Sequence, residues 1–231
     1  MKHSRLTLTA IIIATAISTS GCIIHVGAHE NDNNQHRANK HQSHDTVFGG
    51  IDIKEHQHVK NLSSVNGGID LANGVTAKNV ETVNGGIDIG RNVTIKSAST
   101  VNGGIDAKSN LNVEKDLSTV NGGIRLSENS SVGKDVSTVN GEITLIGTTV
   151  GAQVKTVNGD IKILNNSVVE GDIVYENNNK DSWWKNSEDS LPTLRIDNSS
   201  QVLGRIILER RVILEVEDDA LLEKVERRYS Q

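Results

Sequence analysis

The alternation of apolar and polar positions is regular only in the middle of the chain, and there it repeats. The octets TVFGGIDI (from Thr46), SVNGGIDL (Ser64), TVNGGIDI (Thr82), TVNGGIDA (Thr100), TVNGGIRL (Thr119), TVNGEITL (Thr138) and TVNGDIKI (Thr156) recur every 18 or 19 residues. A fixed short period of this kind marks stacked supersecondary units. One column holds Val47, Val65, Val83, Val101, Val120, Val139 and Val157; four residues on comes Ile51, Ile69, Ile87, Ile105, Ile124, Ile143 and Ile161. Two further on lie Ile53, Leu71, Ile89, Ala107, Leu126, Leu145 and Ile163. Gly49, Gly67, Gly85, Gly103, Gly122, Gly141 and Gly159 occupy the alternate position between the Val and Ile columns. Apolar or small residues at alternate positions mark a strand with one buried face. All these columns are therefore expected inside, with glycine giving room for a tight corner or a close backbone approach. A later column, Leu62, Val80, Ala98, Leu117, Val136, Val154 and Ile173, predicts a further inward wall.

The fold class this predicts is all-β: a single-stranded parallel β-solenoid with coils of 18–19 residues over 46–175. Asn-Gly between apolar flanks also signals hairpins, and paired strands of this length would suggest a membrane barrel. A barrel needs aromatic girdles at both interfaces, yet Phe48 is the only aromatic ring between residues 46 and 174. The solenoid is the better reading. Residues 176–192, ENNNKDSWWKNSEDSLP, read as a loop inserted into the last coils, after which strand pattern resumes in 193–197, 201–208 and 211–217. The segment 218–228 predicts a short amphipathic helix carrying Leu221, Leu222 and Val225 on one side, a C-terminal cap within the last region, 193–231. Such a cap is expected because an open solenoid end invites further pairing.

The N-terminus belongs to a different physical regime. Lys2, His3 and Arg5 precede an apolar stretch from Leu6 to Ile17, too short for a typical membrane span and suited to a signal-peptide core. Thr19-Ser20-Gly21-Cys22 then resembles the lipobox of bacterial lipoproteins, although Thr19 stands where that motif usually has Leu. The resemblance implies cleavage of residues 1–21 and lipidation of Cys22, the only cysteine, which also excludes an internal disulfide. Ile23, rather than Asp, after that cysteine resembles lipoproteins released to the outer membrane of diderm bacteria. Residues 22–45 are polar and of low complexity, and predict a disordered tether. About 20 flexible residues span roughly 25 Å, enough to hold a domain clear of lipid headgroups.

The repeats, with Val169-Glu170-Gly171-Asp172-Ile173 and Val202-Leu203-Gly204-Arg205-Ile206, resemble an adhesin-like bacterial β-helix family of unknown function and, more distantly, the bactofilins, a polymer-forming cytoskeletal family. The resemblance covers roughly 46–217 and implies architecture rather than activity, since neither family carries a catalytic motif to transfer. The export signal points away from the cytoplasm, where bactofilins usually work.

Composition narrows the chemistry further. Without residues 1–21 the chain has 22 basic against 29 acidic residues, a net charge of −7 before histidine is counted. It lacks the positive field a phosphate backbone requires, which excludes nucleic acid as a partner. His29, His36, His41 and His44, with Glu30, Asp32 and Asp45, match no closed zinc motif and read as a solvated tether. Asn66, Asn84, Asn102, Asn121, Asn140 and Asn158 predict an amide ladder along the axis. Asp52, Asp70, Asp88 and Asp106 should stack on the outer face about 4.8 Å apart. Four such carboxylates offer oxygen to Ca²⁺, but the column continues as Arg125, Thr144 and Lys162, and a Lys column (Lys60, Lys78, Lys96) runs elsewhere, so a patterned solvated surface is preferred. Left-handed β-helix acyltransferases show a six-residue period and a catalytic His; no such period recurs and no His follows His58. β-Helical polysaccharide lyases build clefts from irregular loops, whereas loops here stay short until residue 176. Trp183 and Trp184 suit sugar stacking or packing on the solenoid wall, and the wall is favoured because exposed paired Trp is costly.

The expectation is thus a non-enzymatic envelope lipoprotein, with no catalytic residue, cofactor or metal assigned. It contacts the membrane through Cys22 and presents a rigid rod to an envelope protein or glycan. A monomer is expected, with bactofilin-like end-to-end assembly and carbohydrate binding as the alternatives.

Overall fold

The computed structural model describes residues 42–177 and 191–229. The signal segment, Cys22, His29, His36, His41, Trp183 and Trp184 lie outside the described residues. The described chain is a parallel β-solenoid. Each coil visits three walls in turn: a first wall of ten strands from His44–Phe48 to Val225–Arg227, a second of nine from Ile51–Ile53 to Ile213–Val216, and a third of six from Thr94–Ile95 to Gln201–Val202. Single bridges at His58, Thr76 and Thr94 extend the third wall toward the first coils. Residues stack in register on their equivalents, as where Ile69, Ile87 and Ile105 lie above one another. The 176–192 insertion falls between the first-wall strand Ile173–Tyr175 and the second-wall strand Thr193–Ile196, and Ile161 pairs across it with Leu194 without loss of register.

The columns expected inside divide in two. The Ile51 and Ile53 columns and the Leu62 column are buried as expected, with Ile69, Ile105, Leu117 and Ile143 fully shielded. The Val column is buried only at its last member, Val157. Val65, Val83, Val101, Val120 and Val139 are half-buried on the outer surface, and Val47 is 54 % exposed. The residue before each valine points inward instead: Thr82, Thr100, Thr119, Thr138 and Thr156 are buried. The reason is the corner. The first-wall strand ends at the asparagine and the second begins at the isoleucine, so the two residues between them break the alternation of faces. The buried hydroxyls are satisfied by the coil before. Thr82 Oγ1 donates to Gly67 O, Thr100 Oγ1 to Gly85 O and Thr119 Oγ1 to Gly103 O, each at 2.8 Å. Among the described residues only Thr156 Oγ1 lacks a partner, and there the column passes to Tyr175, whose hydroxyl donates to Thr193 O at 2.9 Å.

The corner also explains why one glycine of each pair is strict. A Cβ placed on Gly85, Gly103 or Gly122 would stand 2.3, 2.0 or 1.9 Å from the carbonyl oxygen of the equivalent glycine one coil earlier. On Gly86 or Gly104 the nearest atom would be 3.5 or 3.2 Å away. The chain obeys this difference. The first position stays glycine through Gly141 and Gly159, while the second becomes Glu142 and Asp160.

Both ends depart from expectation. The first strand starts at His44, inside the segment read as tether, because His44 and Asp45 pair with Leu62 and Ser63. At the other end no amphipathic helix lies over the last coil. Asp218 caps a helix of only four residues, Asp219–Leu222, by accepting from the Ala220 N–H at 3.0 Å. The helix stands where earlier coils have a third-wall strand, and the chain then returns to the first wall as Val225–Arg227, paired with Ile206–Leu208. Leu221 is buried, but Leu222 is 42 % exposed and Val225 is only partly covered. The segment is thus the last coil itself rather than a lid upon it.

Gly103→Ala is expected to cost about 2 kcal/mol or more, since it forces backbone apart from backbone, whereas Gly104→Ala stays within about 1 kcal/mol. Urea unfolding of both variants checks this, and equal losses would contradict the stacking at the corner.

Candidate functional site

The second wall carries the most structured surface of the described chain. From Ile51–Ile53 to Ile124–Leu126 each of its strands buries two apolar residues and turns the one between them outward, as in Ile69-Asp70-Leu71. Parallel registers place Asp52, Asp70, Asp88 and Asp106 in one ladder, continued by Arg125, Thr144, Lys162, Arg195 and Glu215. Neighbours in such a ladder are about 4.8 Å apart. The ladder expected from the sequence is therefore present. It also has a polarity: its early half is acidic and its later half largely basic.

The electrostatics follow from that arrangement. Asp70, flanked on both sides, is raised above its ordinary value of 3.8, first by desolvation and then by Asp52 and Asp88, which share hydrogen bonds with it and repel its charge. The acidic run ends at Arg125, whose Nε lies 3.9 Å from Asp106 and whose Nη2 lies 3.9 Å from Glu142. Lys162 Nζ donates to Glu142 Oε2 at 2.6 Å. Burial raises Glu142, yet the hydrogen bonds from Lys162 and Thr144 and the nearby positive charges hold it below its ordinary value overall. Asp172 is lowered chiefly by the Arg205 backbone N–H, donated at 2.8 Å, with the guanidinium adding to it.

Over the acidic half lies an open groove, floored by Ala72 and Gly90, with Lys54 and Lys108 in the same column at its two ends and the carboxylates along one side. The same position further along the rod carries Ile146 and Leu164, so the groove gives way to a ridge. Among the described residues no three His, Cys, Asp or Glu side chains are grouped to hold a metal ion. The groove offers a row of like charges in place of a chelating cluster.

The remaining candidates have structural explanations or lie elsewhere. The asparagine column forms the predicted amide ladder. Asn84 Nδ2 donates to Asn66 Oδ1 at 2.9 Å, and the pattern continues through Asn102, Asn121, Asn140 and Asn158 at 2.9–3.0 Å. Arg210 closes it, donating from Nη1 to Val157 O at 2.7 Å and to the Asn158 side chain. Lys60, Lys78 and Lys96 sit one above another at the corner between the third and first walls, joined by Lys115 and Lys134. His44 and Asp45 are fixed in the first strand, whereas His29, His36 and His41 lie outside the described residues. One column passed unnoticed in the sequence: His56, Gly74, Asn92, Asn110, Asn129, Gly147 and Asn165 all adopt positive φ at the corner after the second wall. Glycine and asparagine recurring at the coil period is the signal that marks it.

Against known proteins, the chain matches no family model, no curated protein and no solved structure.

Because the folded form of Asp70 holds its proton more tightly than the unfolded chain does, stability falls as pH rises through the window above 3.8. Asp70→Asn is accordingly expected to raise Tm at neutral pH and to lose that advantage once pH drops below 3.8. Carboxylates held low, such as Asp172, act in the opposite sense: their stabilisation is present at neutral pH and lost on acidification. Thermal melts of Asp70→Asn and Asp172→Asn across the acid range separate the two signs.

Proposed function

We propose that this chain is a non-enzymatic lipoprotein of the cell envelope, anchored through Cys22 and carrying a β-solenoid rod as an interaction scaffold. The observation that supports this most is the second wall: an ordered, polarised ladder of charges on a regular surface. Repeat proteins use extended regular faces in this way. The anchoring half of the reading rests on the basic start, the apolar stretch to Ile17 and the lone Cys22 after it. Ile23 directs the expectation to the outer membrane. Among the described residues no helix is long and apolar enough to cross a membrane.

A second reading, end-to-end assembly of the bactofilin kind, is favoured by the terminal coils. The strand Ile213–Val216 pairs on one side only, as does Val225–Arg227, and Leu214, Val216 and Val225 are only partly buried. At the opposite end Phe48 is 81 % exposed. Unpaired edges of this kind template further pairing unless something blunts them.

Labelling with a palmitate analogue tests the anchor. The wild-type chain is expected to take up label and to be processed before Cys22, whereas Cys22→Ser is expected to remain an unlabelled precursor. Label retained in Cys22→Ser would rule out this residue as the lipid site.

A further inference from the structure

We propose that the chain forms an antiparallel twofold dimer through the outer face of its second wall, each copy laying its acidic half on the basic half of the other. The proposal builds on the reading of this face as an interaction surface and is independent of the lipid anchor.

The argument starts from the two ladders on the face. Consider a twofold axis lying in the plane of the face, parallel to the strands, between the coils of Asp106 and Arg125. It returns every ladder onto itself in reverse order of coils. In the first ladder Asp52 then meets Arg195, Asp70 meets Lys162, and Asp106 meets Arg125. In the ladder two residues further along each strand, Lys54 meets Asp197, Ala72 meets Leu164, and Gly90 meets Ile146. Every charge pair is of opposite sign, and every large apolar residue falls on a small one. The groove of one copy thus receives the ridge of the other. Glu142 and Asp160, the acids that replace the second corner glycine in the later half, fall opposite Gly86 and Gly68 of the partner copy, where there is no side chain to oppose them.

With the axis instead along the rod and over the Asp ladder, each coil meets its own copy, so Asp52, Asp70 and Asp88 lie against the same carboxylates and repel. Of the charges that the antiparallel dimer uses, Arg195 and Lys54 are exposed and make no ion pair among the described residues, while Lys162 already holds Glu142 at 2.6 Å within its own chain. At the centre, Asp106 and Arg125 are already neighbours within one copy at 3.9 Å, so the axis brings two such pairs into an alternating square. Eight coils at about 4.8 Å and five residues across at about 3.3 Å give a patch of about 38 by 17 Å. That is on the order of 650 Å² per partner, within the range of specific dimers, and closed twofold dimers are the commonest symmetric assembly.

Sedimentation of the full chain in detergent, with charge exchange, tests the proposal. Wild type is expected to be a dimer; Asp52→Arg and Arg195→Asp are each expected to weaken it about tenfold or more, and the double variant to restore it, as a directly coupled pair requires. Melting curves near wild type for each single variant establish that the loss is one of association. Orientation is read separately in membranes: chains carrying Asp52→Cys are expected to crosslink with chains carrying Arg195→Cys, and neither with itself. A monomeric wild type, an unrestored double variant, or Asp52→Cys crosslinking to itself would each overturn the antiparallel dimer. None of these would touch the lipid-anchor reading, whose readout is palmitate labelling.

Discussion

The contact on which the molecule depends is backbone against backbone at the corner between the first and second walls. There the carbonyl of one coil's glycine occupies the space that a Cβ on the next would need, 2.0 Å away at Gly103. That approach sets how closely coils stack, and other axial interactions are built to the same spacing. The corner glycine carbonyl receives the buried threonine hydroxyl of the next coil, and the asparagine just before the glycine carries the amide ladder. One position therefore supports an inner polar column, an outer polar column and the register of two sheets. A residue with a side chain there disturbs all three together, which is why the first glycine persists where its neighbour has become Glu142 or Asp160.

Much of this was legible from the repeat. Period, parallel stacking, the Ile51, Ile53 and Leu62 columns, the outward aspartates and the asparagine ladder all follow from residue type at fixed spacing. The Val column was misassigned as far as Val139, and the inward Thr column passed unnoticed, because alternation is a local rule. It holds within a strand, and nothing in Thr-Val-Asn-Gly-Gly-Ile says where one strand stops and the next begins. Threonine also looks like an outward residue until the glycine carbonyl that accepts its hydroxyl is seen, since its burial depends on a partner 15 or 16 residues earlier. The C-terminal segment misled for a related reason. Leu221, Leu222 and Val225 suit one helix face, yet the pairing of Val225–Arg227 with Ile206–Leu208 recruits Val225 into a strand. Backbone hydrogen bonds to an existing edge outweigh the weak helical preference of a short charged stretch.

The candidate surface was half legible. The aspartates announce themselves as a column, but the groove beside them depends on Ala72 and Gly90, which carry no chemical signal of their own. Its counterpart, the ridge of Ile146 and Leu164, belongs to coils where the octet has already drifted from TVNGGIDI to TVNGEITL and TVNGDIKI. Read as a repeat, that drift is decay. Read on the surface, it replaces the outward aspartate by Thr144 and Lys162 and the second corner glycine by Glu142 and Asp160, while the inward columns stay apolar: Ile143, Leu145, Ile161 and Ile163 are as deeply buried as Ile69 and Ile87.

The division between constant interior and varying exterior says where selection of residues has been free and where it has not. An inward change must fit layers above and below at close packing, so its cost is felt across three coils. An outward change on the second wall meets only its ladder neighbours and solvent, and costs little by itself. A random choice of outward residues under so weak a constraint has no reason to place four aspartates together and then Arg125, Lys162 and Arg195 in one ladder, or to set Ile146 and Leu164 beyond the midpoint of the next and Ala72 and Gly90 before it. Sorting also carries a local cost within the chain, visible in Asp70, whose proton is held more tightly because Asp52 and Asp88 flank it. Interleaving the same charges would have relieved that repulsion. A surface that keeps like charges together against their mutual repulsion is one whose compensation lies outside the single chain.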